Sequence, residues 1–100
     1  MEVVHDEAAS SYRLLEDGDT LSRADYRRTR RKGGAGDDAD DVMVFHHTYT
    51  EPAHRGHGLA EQVVRFALDD VRARRAKVAA TCWFVADFLR DHPEYADLVA

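Results

Sequence analysis

The stretch Pro52-Ala53-His54-Arg55-Gly56-His57-Gly58-Leu59-Ala60 holds the residue types that most directly suggest chemistry. Its glycines leave backbone N–H groups uncovered and let a ligand approach without a Cβ in the way. The amphipathic segment that follows begins a helix, whose first N–H groups lack intrahelical acceptors and carry a partial positive charge. Together these features make an anion site suited to phosphate, and Arg55 adds a charged fork. A Gly-x-Gly before a helix also serves as a plain strand-to-helix turn, so both readings stand on these residues alone. Cys82 is the single cysteine. A thiol is a few per cent thiolate at neutral pH, and a helix starting at Phe84 favours the thiolate further. The same residue type is equally at home as small, inert core. His46 and His47 end a strand-like run, where alternation sends one ring toward the helices and the other away. With His54 and His57 they raise the question of a metal. No His-x-x-x-His pair exists and Cys82 stands alone, so no metal is expected.

These residues need a scaffold, and the hydrophobic pattern supplies one. Residues 1–9 are polar, lack periodicity and are expected to fray. Ser10 to Glu16 reads as a strand with Tyr12 and Leu14 on one face, and Asp17-Gly18 is a hairpin signal. A second strand spans about Thr20 to Arg30, with Ala24 and Tyr26 on one side. Gly33 to Asp41 (GGAGDDADD) reads as an acidic loop. Val42 to Thr48 is β-branched and aromatic, a third strand that Glu51-Pro52 ends. After Gly58 the period becomes 3.6, with Ala60, Val63, Val64, Ala67, Leu68 and Val71 in one apolar stripe. Lys77 to Trp83 is again strand-like. Phe84 to Asp91 reads as a helix with Val85, Phe88 and Leu89 inward, and a last turn runs through Leu98 after His92-Pro93. Trp83 fits either a core plug or a wall of an acyl or acceptor pocket. Strand–helix–strand through 42–83 predicts a parallel pair.

Composition narrows the classes. One hundred residues suit one domain over 1–100, burying roughly 60–65% of its unfolded surface. Hydrophobic residues at 44% and charges at 33% are a foldable mix. No apolar run reaches the length of about 18 residues that a spanning helix needs, so no membrane partner is expected. MEVVHDEAAS has neither a basic start nor an apolar core, so no secretory leader is expected. One cysteine excludes an internal disulfide and suits a reducing cytoplasm. The net charge of −5, from 19 acids and 14 bases, argues against nucleic acid as a partner. The basic run YRRTRRK at Tyr26 to Lys32 reads as a solvated hairpin arm, its arginines alternating faces and offset by the acids of 37–41.

Arg55-Gly56-His57-Gly58-Leu59-Ala60 fits the Arg/Gln-x-x-Gly-x-Gly/Ala signature of GNAT-superfamily acyl-CoA N-acyltransferases. The flanks His47-Thr48-Tyr49, Pro52, Cys82-x-Phe84-Val85 and the tail Phe88 to Tyr95 resemble the minimal GNAT-like acetyltransferases of about this length. The resemblance covers about residues 12 to 99. It implies that the backbone of Arg55, Gly56, His57, Gly58, Leu59 and Ala60 holds the pyrophosphate of acetyl-CoA. It further implies that Thr48 and Tyr49 pair with the pantetheine arm. Cys82 becomes a candidate acyl-accepting nucleophile. His47 becomes a candidate general base, or a group orienting Cys82. Either histidine packed at a strand end, and His57 merely exposed in its loop, are the alternatives. Ala80, where proline is frequent, and Trp83, where a small polar residue is usual, depart from the pattern.

The expected fold is an α/β (α+β) domain: a mostly antiparallel sheet of about four strands with one parallel pair, covered by two or three helices. The expected function is acetyl-CoA-dependent acetyl transfer to an amine of a small molecule or protein, by direct attack or through Cys82. A non-catalytic acyl-CoA-binding module is the alternative. The short chain leaves the acceptor side open or completed by a partner chain, a homodimer included.

Overall fold

A computed structural model describes residues 1–30 and 41–100. Alternation at Tyr12 and Leu14 buries both in strand β2, Ser11–Glu16. Asp17 and Gly18, with φ of 51° and 84°, turn it back into β3, Asp19–Arg30. Positive φ at both positions matches the twist of the flanking strands. β3 pairs antiparallel with β4, Asp41–Thr50. A short 3-10 turn at Pro52–His54 then leads to helix α1, Leu59–Ala73, which returns the chain to β5, Lys77–Ala80. β4 and β5 pair in parallel, as a helical crossover between them requires. Helix α2, Trp83–Asp91, and a 3-10 turn, Pro93–Leu98, complete the chain. Of the acidic loop read at 33–41, Asp41 belongs to β4 and the rest lies outside the described residues, as do Arg31 and Lys32. Arg27 and Arg28 are exposed.

Three expectations are corrected. The first residues do not fray: Glu2–Asp6 forms a strand, β1, antiparallel to β2, so the sheet has five strands in the order β1-β2-β3-β4-β5. β1 is held by tertiary contacts that leave no periodic trace. His5 stacks on the Tyr12 ring at 4.2 Å and shares a 2.6 Å hydrogen bond with the Tyr26 hydroxyl. The strand read at 77–83 stops at Ala80, and Trp83 opens the helix instead. His46 and His47 do not take opposite faces; both are exposed. Asp25 pairs with His47 and Tyr26 with Phe45, so His46 is an extra residue in β4. Such a bulge resets the alternation.

The core lies between the sheet and α1. Leu59, Val63, Val64, Ala67, Leu68 and Val71 are buried against Tyr12, Leu14, Met43 and Phe45. Each of the valines and leucines, with Met43 and Phe45, contributes about 1.5–3 kcal/mol through burial. A polar network clamps the far end of α1. Tyr12 Oη and Arg74 Nε donate to Asp70 Oδ2 at 2.6 and 2.7 Å. His5 Nδ1 lies 3.0 Å from Arg74 Nη2 and 3.3 Å from Asp70 Oδ2, which ties the ring into the same network.

Burial, with the nearby Arg74 charge, lowers the His5 pKa below its ordinary 6.5. Desolvation pushes the Asp70 carboxyl up, but the Tyr12 and Arg74 hydrogen bonds and the Arg74 charge outweigh it and leave it below 3.8. Below pH 6.5 the unfolded chain protonates its histidine while the folded chain resists, so stability falls with pH from there to the folded pKa. Asp70 adds a loss in the same direction below 3.8. We expect the melting temperature to drop by a few degrees between about pH 7.5 and 5.5, and His5→Gln to shrink that drop. Thermal melts of both proteins check this; an equal drop in His5→Gln contradicts it.

Candidate active site

β4 runs past its partner. Its last pairing with β5 is Phe45 with Ala80, after which the Phe45 carbonyl accepts from both Thr81 N and Cys82 N at 3.0 and 3.1 Å. The ladder closes there while β4 continues to Thr50. The strands part, and a cavity of about 470 Å³ opens at the divergence. Thr48, Tyr49 and Thr50 wall one side, residues 54–56 and 58–61 another, and Trp83 with Phe84 a third.

The glycine loop has the backbone its sequence demands. Gly56 and Gly58 sit at φ of 84° and 74°, and a Cβ built on either would meet nothing within 4 Å. L-residues avoid this conformation at a cost of about 1–2 kcal/mol. Gly58 is the N-cap of α1 and has no side chain to cap it. The first-turn N–H groups of Leu59, Ala60 and Glu61, all on the cavity wall, therefore receive no cap. α2 repeats the arrangement: its N-cap is Cys82, again without a side-chain cap, and Trp83 and Phe84 of its first turn line the same cavity. Two uncapped helix starts, each with a partial positive charge, thus open on one space.

Arg55 lies against the end of β4. Its Nε donates to the Thr50 carbonyl at 3.0 Å, and its guanidinium sits 5.9 Å from the Tyr49 ring centre. Arg23 of β3 faces the same ring at 5.1 Å. The Nη groups of Arg55 keep no protein partner among the described residues and are available to an anion.

Of the residues singled out in the sequence, Thr48, Tyr49, Arg55, Gly56, Gly58, Leu59 and Ala60 meet on this cavity. His57 is exposed in the loop and is not part of the wall. Cys82 is 8% exposed, with Sγ 3.6 Å from Thr48 Oγ1, so the thiol borders the cavity through a residue that lines it. His47 is exposed and stands opposite Asp25 in the register, and the side chain beside the sulfur is that of Thr48. Trp83 is no core plug: it is 73% exposed on the cavity wall. Thr50, His54, Glu61 and Phe84 complete the wall; the sequence reading gives none of these four a role in holding the ligand. What the sequence offers for Glu61 is its backbone N–H, which belongs to the first turn of the helix behind the glycine loop. Among the described residues no three His, Cys, Asp or Glu side chains gather as a metal set, and no helix is long and apolar enough to cross a membrane.

The family model described as GCN5-related N-acetyl-transferase matches residues 11–98. The bovine protein NATD1 is 31% identical over 52 residues, an alignment covering 52% of this chain and 46% of that protein. The human protein NATD1 is 28% identical over 104 residues and 91% of each chain. Among solved structures, a GCN5-like protein of Staphylococcus aureus superposes with a TM-score of 0.62 at 19% identity, covering 99% of this chain and 87% of the other. An acetyltransferase predicted in Clostridium acetobutylicum, solved with acetyl-CoA, gives a TM-score of 0.62 at 14% identity, covering 82% of this chain and 55% of the other. At such identities the structural likeness speaks to the fold, a mixed sheet with one parallel pair flanked by helices.

Proposed function

Because the chain belongs to the GCN5-related N-acetyl-transferase family, we propose that it moves the acetyl group of acetyl-CoA to an amine. One observation carries this reading: two uncapped helix starts and a strand edge released from its neighbour share a single cavity. Coenzyme A needs both. Its pyrophosphate suits the N–H groups of Gly56 to Ala60 and the Arg55 guanidinium. Its pantetheine amides suit the edge of β4 at Thr48 and Tyr49 that β5 no longer covers, as an added strand would, while the Tyr49 carbonyl is held on the β3 side by Ser22 Oγ. His57, exposed in the loop, would meet phosphate only from the solvent side. A backbone N–H near Thr48 or Tyr49 would polarise the thioester carbonyl and stabilise the charge that develops on it.

Two routes for the acetyl group follow from the position of Cys82. In the first, the amine attacks the thioester directly and the gain comes from alignment. His47, on the exposed side of the bulge, would take the amine's proton from solvent side. In the second, the Cys82 thiolate attacks the thioester carbonyl and expels the coenzyme thiolate; the amine then takes the acetyl group from the sulfur, losing a proton and restoring Cys82, and Thr48 Oγ1 beside the sulfur would hold it in line. Intact-protein mass spectrometry separates them. If the cysteine route operates, incubation with acetyl-CoA adds one acetyl group to the wild type and none to Cys82→Ala. Coenzyme affinity in that variant should stay within about threefold, because a small apolar replacement removes no phosphate contact. Transfer at wild-type rate by Cys82→Ala assigns the direct route.

A further inference from the structure

We propose that the acceptor is a small primary amine bearing a carboxylate or a phosphate, held on the sheet face opposite the helices. The inference rests on the acetyl-transfer reading above and names the class of amine. In the register Tyr49 stands opposite Arg23 and Arg23 opposite Arg13, so the three side chains form one row across β4, β3 and β2. His47, Asp25 and Ser11 form the next row on the same face. The row between them, Thr48, Ala24 and Tyr12, points the other way, where Ala24 and Tyr12 join the core with the buried sides of α1 and α2. Arg13, Arg23, His47 and Tyr49 stand outside that core.

Like charges directly opposite each other on neighbouring strands repel, so a pair of facing arginines destabilises the sheet unless an anion joins them. Neither guanidinium is used up. Arg23 gives its Nε to Asp25 Oδ2 at 3.1 Å, while Arg13 Nε, 3.8 Å from Asp6 Oδ2, is buried without a hydrogen-bond partner. Among the described residues no hydrogen bond takes the Nη groups of either, and the two side chains are 33% and 34% exposed. Two such forks side by side seat a carboxylate or phosphate. That seat adjoins the chemistry. The Arg23 guanidinium lies 5.1 Å from the Tyr49 ring centre, and Tyr49 lines the cavity proposed to hold the thioester. His47, which would take the amine's proton, stands two residues back along β4, about 7 Å away. A short methylene chain between amine and anion spans that distance. The other spaces that adjoin the cavity carry the opposite charge. The one at His54 is lined by Asp19 and Glu51, and the one at Trp83 by Glu61, Asp87 and Asp91. Neither is lined by an arginine, so both repel the anionic group and leave it the sheet face.

Amines of matched length test this on isotope-labelled protein saturated with coenzyme A: γ-aminobutyrate, butylamine and putrescine. In amide NMR titrations γ-aminobutyrate should bind at least about tenfold tighter than the other two, with the largest shifts at Arg13, Arg23 and Tyr49. Arg23→Gln and Arg13→Gln should each cut that preference to about twofold or less. Tighter binding of phosphoethanolamine than of γ-aminobutyrate assigns a phosphate, and the reverse a carboxylate. Equal affinities for the matched amines, or no saturable binding of any, overturns the proposal. Tighter binding of putrescine overturns it too and moves the acceptor to one of the acidic spaces. Calorimetry with coenzyme A alone, made first, separates the failures. Coenzyme binding without a preference among the amines removes the acceptor class and keeps the transferase reading; no coenzyme binding removes both.

Discussion

Gly58→Glu is expected to weaken acetyl-CoA binding by at least about 100-fold, or about 2.7 kcal/mol, while the protein stays folded. The physical case has two parts. The new carboxylate would project into the open space over the loop, where nothing of the protein lies within 4 Å and the pyrophosphate is proposed to sit. Like charges in contact at a binding site cost several kcal/mol. The backbone is the second part. At φ of 74° any L-residue is strained, by about 1–2 kcal/mol, so some stability is lost with any side chain. Gly58→Ala carries that strain without the charge and serves as the control. We expect it to bind far better than Gly58→Glu, with a similar melting temperature. Calorimetric titration of the two variants reads the difference. Equal affinities would mean that the loop does not face an anion.

The second large effect concerns the residue on which the sheet opens. Phe45 is 1% exposed and touches the Tyr12 and Tyr26 rings at 6.0 and 5.7 Å. Its carbonyl accepts the last two N–H groups of the β5 side, immediately before the bulge at His46. Phe45→Ala leaves a cavity under α1 at the point where β4 and β5 diverge. Truncations of this kind cost about 3–5 kcal/mol, against a total stability of about 5–15 kcal/mol for a domain. Denaturant unfolding should therefore show the largest loss among single core truncations, with coenzyme affinity falling as the edge of β4 loosens. A loss below about 1 kcal/mol would mean that this ring does not hold the opening.

The parts of the fold legible in the sequence are those where local chemistry and tertiary demand agree. Val63, Val64, Ala67, Leu68 and Val71 repeat at the helical period, and all five are buried. Asp17-Gly18 and the Gly56-x-Gly58 loop are legible because positive φ leaves few residue choices. β1 is not legible, since EVVHD is short and lacks strict alternation. Its stability comes from pairing with β2 and from His5 against Tyr12, contacts that exist only once the sheet has formed. The His46 bulge escapes for a different reason. One inserted residue changes no composition, yet it turns both histidines outward and leaves Thr48 beside Cys82. For Trp83 the sequence leaves core plug and pocket wall both open, because an indole suits either. Its place at the first turn of a helix over a cavity follows from where β5 stops, which Ala79 and Ala80 do not announce.

That this cavity binds acetyl-CoA is checked by a calorimetric titration of the reduced wild-type protein. We expect a saturable one-to-one isotherm with a dissociation constant on the order of micromolar, in the range common for such substrates. No heat at a protein concentration of roughly tens of micromolar would contradict it, leaving the glycine loop a turn between β4 and α1 and nothing more.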